Sequence, residues 1–505
     1  MGRLERNAFA NLFGAAWSAA LNVLCIPLYI KLMGAEAFGL VGLFITLQSI
    51  FVVLDLGVGA TLNREMARFA AANVAPLTQR DLVFTLQAVY LLGALVVGAS
   101  VFALAPAMAR HWVRAQSLSA ETVTNCVRMM GVAMALQFPF VFYQSGLLGL
   151  QRQVLLNEMV ATLATLRAAG TLLALWLVAS TPQTFFAAQI AAGAASTAAA
   201  AFMLWRCLPA PAEGASCGFR FEVIRRVWRF GAAYAANAVA NMGLYQGDKI
   251  ILSTLLPLEL FGYYTLAQTI ASGMYSVIVS VGGAAFPQLA GLVGRDAEAE
   301  LSEAYHRSSQ LMLVLLAPIA VVAAIFSKEV LFMWTGYRTV VENAHLVLTL
   351  LVCGMLLHGL VQAPYYLQVA YGWWRIILGT NLILLLCVVP MNILMAKAYG
   401  GPGAALVWVL LNLCYVLTLP FVHRRFLKGQ QGRWLFEDIF TPLCGALSVG
   451  AAARWLIPPD LSRAGLLAYL SATGLLALAA AAALASRLRV PALALLRRRA
   501  EAFVA

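Results

Sequence analysis

Residues 32–40, LMGAEAFGL, and residues 255–263, LLPLELFGY, carry one short motif at two places 223 positions apart. Leucine, glutamate, phenylalanine and glycine coincide at four of the nine places, and the same offset pairs Gly59 with Gly282. In each copy, basic residues precede a long apolar run, then come this turn and a second apolar run. The repetition predicts a duplicated chain in which each half begins with a helical hairpin.

The composition around these turns is typical of a membrane protein. Of the 505 residues, 62% are hydrophobic and 11% are charged, whereas a soluble domain has about 25% charged residues. This scarcity of charge excludes a soluble enzyme and a disordered chain. The net charge of +13 is spread too thinly to form a nucleic-acid-binding patch. The eight cysteines show no CxxC spacing, so we expect neither a metal site nor a disulfide.

Fourteen apolar windows reach the roughly 20 residues that a membrane-spanning helix needs. They are residues 9–30, 38–61, 82–105, 127–149, 154–179, 183–206, 229–255, 261–290, 309–333, 344–368, 375–397, 402–423, 434–456 and 464–486. The sequence therefore predicts an all-α integral membrane protein, with two six-helix lobes related by a parallel repeat and two extra C-terminal helices. We expect an N-lobe (residues 1–207), a cytoplasmic linker (208–228) and a C-lobe (229–428). The two extra helices (429–486) and a basic cytoplasmic tail (487–505) follow.

The placement of basic residues predicts the orientation in the membrane. With both termini in the cytoplasm, 23 of the 34 Lys and Arg residues lie in cytoplasmic segments and nine lie in external ones. Basic residues are favoured on the cytoplasmic side, so this asymmetry supports both the orientation and the number of spans. We expect the first apolar run to be a membrane helix rather than a cleaved leader, because further spans follow it.

Several motifs in the first and seventh spans resemble those of a known family. Residues 27–39, PLYIKLMGAEAFG, follow the pattern P-x-x-x-[KR]-x-x-G-x-x-x-[FY]-G, and the D-x-G of residues 55–57 comes after it. Residues 248–252, DKIIL, precede the second turn, and Phe286-Pro287 follows it. In this order the motifs resemble those of the polysaccharide-biosynthesis flippases, the O-antigen and capsule-unit translocases of the multidrug/oligosaccharidyl-lipid/polysaccharide (MOP) exporter superfamily.

The resemblance implies a V-shaped transporter of two lobes in the bacterial inner membrane. Its expected substrate is an oligosaccharide linked to undecaprenyl pyrophosphate, which it would move to the outer leaflet by alternating access. Membrane lipids are further expected partners, as are a polysaccharide polymerase or glycosyltransferases, whereas nucleic acid is not. No cofactor is expected, and a proton or sodium gradient is a candidate source of energy.

Charged residues deep inside spans are candidates for the substrate site, because burying a charge in the bilayer is costly. Arg167 lies in the fifth span, where its guanidinium suits a pyrophosphate; the alternative is a structural pairing with Glu158 or Asp55. Asp248 and Lys249 lie in the seventh span, as ligands or as a structural charge pair. Asp55 lies near the end of the second span, where capping or a salt bridge is the competing interpretation.

Four further residues complete the candidate site. Asn241 and Tyr245 lie four residues apart on one face of the seventh span, where a polar stripe fits either a lumen wall or hydrogen bonding between helices. Arg64 at the cytoplasmic boundary and Arg128 at the external boundary are either anchors or parts of the entrance and exit.

Two other functions remain open from the sequence. A cation-coupled drug antiporter of the same superfamily (a MATE-like protein) would need intramembrane carboxylates, and Asp55 and Asp248 are candidates for them. A polysaccharide polymerase or ligase would need a long catalytic external loop, and the longest external segment, residues 106–126, is short. We therefore expect a transporter rather than an enzyme.

Overall fold

The computed structural model describes residues 3–52, 55, 57–72, 76–210 and 217–488, and within these ranges the chain is helical and contains no strand. The helices are α1 (Arg3–Met33), α2 (Ala35–Val52), α3 (Val58–Ala72), α4 (Pro76–Ala107), α5 (Ala120–Gly149), α6 (Gln153–Leu177), α7 (Pro182–Cys207), α8 (Phe221–Leu255), α9 (Leu258–Val293), α10 (Glu298–Ile325), α11 (Ser327–Thr335), α12 (Arg338–Ala370), α13 (Trp374–Phe426), α14 (Gln431–Arg433), α15 (Thr441–Leu456) and α16 (Arg463–Leu484). A π-helical stretch, Trp434–Phe440, joins α14 to α15. The all-α membrane fold predicted from the sequence is confirmed.

Helices cover all fourteen predicted spans, although their ends differ from the expected ones. Ten helices of the described part are long and apolar enough to cross a membrane, and one of these ten covers both the eleventh and the twelfth predicted spans. That helix is α13, in which Gly400 has the non-helical angles φ 62° and ψ −137°. Glycine tolerates positive φ, so it permits this kink without the strain that a side chain would add.

The second predicted span, 38–61, is interrupted rather than continuous. Helix α2 ends at Val52, and α3 begins at Val58 as a separate amphipathic helix. Gly57 between them has φ 72°, a left-handed conformation that ends a helix and favours glycine. The ninth predicted span is likewise divided, because α10 ends at Ile325 and α11 starts at Ser327.

The chain forms two compact units, Met1–Gly262 and Tyr263–Ala505. The first unit therefore includes α8, whereas the sequence places the seventh span in the C-lobe. Within it, α5 packs against α3, α4 and α7. Gly98 and Gly131 allow the close approach of α4 and α5, because a Cβ atom on Gly98 would lie 2.9 Å from the carbonyl oxygen of Gly131.

In the second unit, α10 packs against α12, α15 and α16. His306 of α10 bonds Asp438 through Nδ1 and Oδ2 at 2.5 Å, and Gln310 donates to the other carboxylate oxygen at 3.0 Å. All three side chains are buried. Buried polar groups need hydrogen-bond partners, so this cluster fixes the extra C-terminal helices to the rest of the unit.

The two copies of the repeated turn touch each other within the first unit. A Cβ atom on Gly39 would overlap the backbone carbonyl of Leu258, and one on Gly262 would lie 3.1 Å from the carbonyl oxygen of Ala35. The phenylalanine before each glycine is buried. The glycines of the motif are therefore required for close packing between the turns.

The segment before α8 is fastened to the start of α4. Asp81 accepts hydrogen bonds from the backbone of Gly218 at 2.8 Å and from Nε of Arg220 at 3.0 Å. The neighbouring Arg80 donates to the carbonyl of Pro209 at 2.8 Å. The described ends of the predicted linker are thus attached to the first unit.

Candidate functional site

Arg167 lies near the middle of α6 and is held by an amide from α7. Its Nε donates to Oε1 of Gln189 at 2.5 Å. The side chain of Gln189 is buried, whereas Arg167 is exposed. The two terminal nitrogens of this guanidinium make no hydrogen bond to any described residue. Arg167 is therefore oriented by one nitrogen and presents two others, which is the arrangement that binds two oxygens of one anion.

A chain of amides extends from this arginine across the first unit. Gln48 of α2 donates to Oε1 of Gln137 at 2.6 Å, and Gln137 donates to the backbone oxygen of Gln189 at 3.1 Å. We call Gln48, Gln137, Gln189 and Arg167 the amide chain. It connects α2, α5, α7 and α6, so the position of the guanidinium depends on four helices.

The other side of the amide chain reaches α1. Gln189 donates to the hydroxyl of Thr171 at 3.2 Å, and Tyr29 lies beside Thr171 and Arg167. The ring of Tyr29 packs edge-on against Phe185, with centroids 5.2 Å apart. The tyrosine belongs to residues 27–39, the motif that carries the family resemblance, so that motif contributes a side chain beside Arg167.

The candidates on α8 lie on a helix that packs against α2, α3 and α4. Lys249 donates from Nζ to Oε1 of Gln246 at 2.7 Å, one turn back along the helix. Asp248 is close enough to act on the Lys249 charge. Tyr245 is half-buried on the same helix, and the side chain of Asn241 lies outside the described ones. Of the polar stripe that the sequence predicts on this helix, the structure therefore describes the side chains of Tyr245 and Asp248.

Asp55 lies at the break between α2 and α3. Its Oδ1 accepts from the backbone nitrogen of Gly59 at 3.1 Å, and Tyr90 of α4 lies beside the carboxylate. This contact gives α3 a cap, because the first backbone N–H groups of a helix have no partner inside it. The capping role considered for Asp55 matches this geometry, and the carboxylate faces its own segment and α4.

Arg64 lies on α3 and shares a carboxylate with Arg68. Both arginines bond Oε1 of Glu65, at 2.9 and 3.3 Å, and the Glu65 side chain is buried. The Arg64 and Arg68 side chains are 46% and 69% exposed. The buried carboxylate therefore holds two cations at the surface of this end of the unit.

Arg128 lies near the start of α5, with its guanidinium carbon 5.5 Å from the centroid of the Phe102 ring. Its Nε is buried and has no hydrogen-bond partner in the part of the chain that the structure describes. A cation over an aromatic face is stabilised by the ring quadrupole, so this contact holds the side chain in place.

The structure brings some of the candidates together and adds others. Asp55 and Arg64 lie on the α2–α3 segment against which α8 packs, whereas Arg167 lies in the amide chain on α6. For Arg167 the sequence left a structural pairing with Glu158 or Asp55 as the alternative to substrate binding, and in the structure its hydrogen-bond partner is the amide of Gln189. The sequence analysis did not single out Gln48 or Gln189, although an amide inside an apolar run was a signal that could have found them.

A family model described as "Polysaccharide biosynthesis protein" matches residues 4–293, more than half of the chain. Among curated proteins, a candidate O-antigen transporter from Shigella flexneri is 21% identical over 207 residues. That alignment covers 41% of this chain and 49% of the relative, so the chain spans about half the length of the curated protein it matches.

The fold is similar to that of two kinds of solved transporter. The lipid II flippase MurJ in an inward closed conformation gives a TM-score of 0.71 at 11% identity, covering 94% of this chain and 98% of that one. A MATE-family multidrug resistance transporter of the MOP superfamily, in an inward-facing conformation, gives 0.64 at 13% identity, with 81% and 94% covered. At these identities the likeness concerns the fold alone.

Proposed function

Because the chain belongs to the polysaccharide biosynthesis protein family, we propose that it is a flippase for a lipid-linked oligosaccharide. It would move undecaprenyl-pyrophosphate-linked units from the cytoplasmic to the external leaflet of a bacterial inner membrane. The family match over residues 4–293 carries this proposal. The similarity to an O-antigen transporter and the shared fold with a lipid II flippase support it.

Arg167 is the proposed contact for the pyrophosphate. A phosphate group binds best to a donor pair of fixed geometry, and the two terminal nitrogens of a guanidinium form such a pair. The hydrogen bond to Gln189 orients this group before the substrate arrives. Less entropy is then lost on binding than would be lost by a freely rotating side chain.

The remaining candidates have secondary roles in this proposal. Arg64 would attract the anionic headgroup at the cytoplasmic entrance, and Arg128 would do so at the external exit. Lys249, with Asp248, Tyr245 and Asn241 on the same helix, would line the path between them. Asp55 would act on the shape of the α2–α3 segment rather than on the substrate.

The proposed mechanism is alternating access between an N-lobe at 1–207 and a C-lobe at 229–428, without chemical change in the substrate. Both termini would lie in the cytoplasm, as the distribution of basic residues favours. A proton or sodium gradient would supply the energy. A polymerase on the external side and glycosyltransferases on the cytoplasmic side are the partners that such a substrate implies.

A cation-coupled drug antiporter is the second candidate, because a MATE transporter shares the fold. Such a protein needs carboxylates that are available to cations inside the membrane. The Asp55 carboxylate accepts a backbone hydrogen bond at the start of α3, which favours a capping role over a cation site.

Deleting the gene tests the proposal directly. The expected result is a loss of surface polysaccharide, with lipid-linked oligosaccharide accumulating on the cytoplasmic face of the inner membrane. Expression of the wild-type chain should restore both. Unchanged polysaccharide with no accumulated intermediate would contradict the flippase function, and a new sensitivity to cationic drugs would favour the antiporter.

A further inference from the structure

One face of α9 carries polar and small residues that are exposed at membrane depth. Ser272, Tyr275, Ser276 and Ser280 lie on it, with Val279 between them. A Cβ atom added to Gly273 or Gly283 on the same face would meet nothing within 4 Å. The face is therefore open and only weakly apolar.

Exposed faces elsewhere have the aliphatic character that lipid contact requires. On α4, Leu92 and Leu95 are 63% and 64% exposed, and on α13 Leu386 is 76% exposed. On α9, Tyr275 is 51% exposed near the middle of the helix, and its hydroxyl makes no hydrogen bond to any described residue. Lipid tails offer a hydroxyl no partner, so this face of α9 is suited to water or to a polar ligand.

Aromatic rings from α12 stand beside this face. The ring of Tyr275 lies nearly parallel to that of His358, with centroids 6.3 Å apart. Tyr365 and Tyr366 follow on α12, with ring centroids 5.6 Å apart, and both lie close to Tyr275. The ring of Tyr366 covers Gly282, where a Cβ atom would overlap it. The glycine thus lets an aromatic side chain lie directly on the backbone of α9.

A chain of hydrogen bonds runs from α13 to His358, whose ring lies against that of Tyr275. Asn412 donates to the backbone oxygen of Trp408 at 2.8 Å, and its Oδ1 lies 3.0 Å from Nδ1 of His358. Nε2 of Gln362 lies 3.0 Å from Nε2 of His358. The backbone oxygen of Trp408 can only accept, so the Asn412 amide presents its oxygen to His358 and Nδ1–H of His358 donates to that oxygen. In the neutral imidazole Nε2 is then the acceptor, and the NH2 group of Gln362 donates to it. The network therefore fixes which end of the Gln362 amide is the oxygen.

The consequence is an oriented hydrogen-bond acceptor on α12 near the exposed ring of Tyr275 and the half-buried ring of Tyr365. Oε1 of Gln362 makes no hydrogen bond within the ranges that the structure describes, and the residue is half-buried. Sugar rings have one face of C–H groups and an edge of hydroxyl groups. A tyrosine ring offers a flat apolar surface to the C–H face of a sugar. The oriented amide oxygen of Gln362 can accept a hydrogen bond from a sugar hydroxyl.

We propose that Tyr275, Tyr365 and Gln362 form a subsite in the second unit for an uncharged sugar ring. Tyr275 and Tyr365 contact the C–H face of the sugar, and Gln362 accepts from one of its hydroxyls. The proposal rests on the proposed function for the origin of the sugar, which is the oligosaccharide part of the lipid-linked substrate.

The test is a binding measurement on the purified full-length protein in lipid nanodiscs, with three probes. They are the lipid-linked oligosaccharide from host cells that lack this protein, bare undecaprenyl pyrophosphate, and the oligosaccharide released from its lipid by mild acid. Gln362→Leu should weaken binding of both sugar-containing probes about tenfold, an effect the size of one net hydrogen bond. Tyr275→Leu removes the flat aromatic face and should weaken both by a similar factor. Binding of bare undecaprenyl pyrophosphate should not change.

Matched variants separate recognition from folding. Tyr275→Phe keeps the ring and should recover most of the binding that Tyr275→Leu loses. Tyr337→Leu removes an exposed tyrosine at the start of α12, outside the subsite, and should bind every probe as the wild type does. Arg167→Gln should weaken both lipid probes and leave the released oligosaccharide unaffected. Each variant is first checked by its melting temperature.

Three results would contradict the subsite. The first is that the wild-type protein fails to bind the released oligosaccharide, and the second is that the Tyr275→Leu and Gln362→Leu variants bind it as well as the wild type does. The third is that these variants lose affinity for bare undecaprenyl pyrophosphate as much as for the sugar-containing probes. The proposed function fails separately, when deletion of the gene leaves surface polysaccharide unchanged. If the released oligosaccharide still binds in a variant-sensitive way in that case, the subsite stands and the transported molecule is another glycan.

Discussion

Arg167 is a cation in the middle of a membrane helix, and among the described residues its one hydrogen-bond partner is an uncharged amide. A carboxylate partner would neutralise the guanidinium and reduce its attraction for an anion. An amide orients the group and leaves its charge in place. This difference favours a ligand-binding role over a structural ion pair.

Replacing Arg167 by Gln should reduce export of the polysaccharide about tenfold or more, since one charged hydrogen bond contributes about 1.5–3 kcal/mol. Surface polysaccharide in complemented deletion cells is the measurement. Arg152→Gln is the control, because this exposed arginine precedes the same helix and lies outside the amide chain. Normal export by Arg167→Gln in a stably folded protein would assign the residue a structural role.

Arg167 is a candidate from the sequence alone, because a charge inside an apolar run is conspicuous, and its role stays a prediction. The sequence was insufficient to identify Gln189, which lies 22 residues away on another helix. A glutamine in a span can face a neighbouring helix, water or lipid, and its surroundings depend on how the helices pack. The same reasoning applies to Gln362, whose orientation is fixed by His358 and Asn412 on two different helices.

At the scale of elements, the α2–α3 break shows how local chemistry overrides hydropathy. Residues 38–61 are apolar enough for one span, yet Gly57 has φ 72° and α3 begins after it as a separate helix. Within five positions, Asp55 caps α3 and Gly57 takes a left-handed conformation. Gly59 allows the side chain of Ser145 to lie close to the backbone. Hydropathy measures transfer into lipid and does not register such breaks, whereas the D-x-G pattern itself is visible in the sequence.

A pair of substitutions at Asp55 tests whether the residue caps a helix or carries a functional charge. Asn retains a side-chain oxygen that accepts from Gly59, so Asp55→Asn should keep both export and thermal stability. Asp55→Ala removes the cap and should cost about 1 kcal/mol of unfolding free energy. The measurements are melting in detergent and surface polysaccharide. Loss of export in Asp55→Asn without loss of stability would instead indicate that the charge is needed.

At the scale of the whole molecule, the fourteen helical spans follow from composition, because twenty consecutive apolar residues have few stable alternatives in a lipid bilayer. The kink at Gly400 and the turn at Phe326 could not be located this way, since neither interrupts the hydropathy. The boundary of the two compact units at Gly262 likewise depends on how the helices pack. Helix α8 packs on α2, α3 and α4, and such packing depends on surface shape more than on chain order.

Cysteine labelling tests the proposed orientation of the chain. In a variant without the eight native cysteines, a cysteine replacing Glu121 should react with a membrane-impermeant maleimide in intact cells. One replacing Arg295 should react only after the cells are opened. Both positions are exposed in the structure. Labelling of Arg295→Cys in intact cells, with Glu121→Cys protected, would reverse the orientation.

The contact between the two turns is reciprocal. Gly39 meets Leu258 and Gly262 meets Ala35, and the 223-residue offset converts one contact into the other. Such reciprocity defines an isologous interface, the kind made by two identical chains about a twofold axis. An ancestor of half the length, with one turn, would have been able to pair with its own copy here. Gene fusion would then have made the pairing permanent, and each glycine has since been constrained by its counterpart.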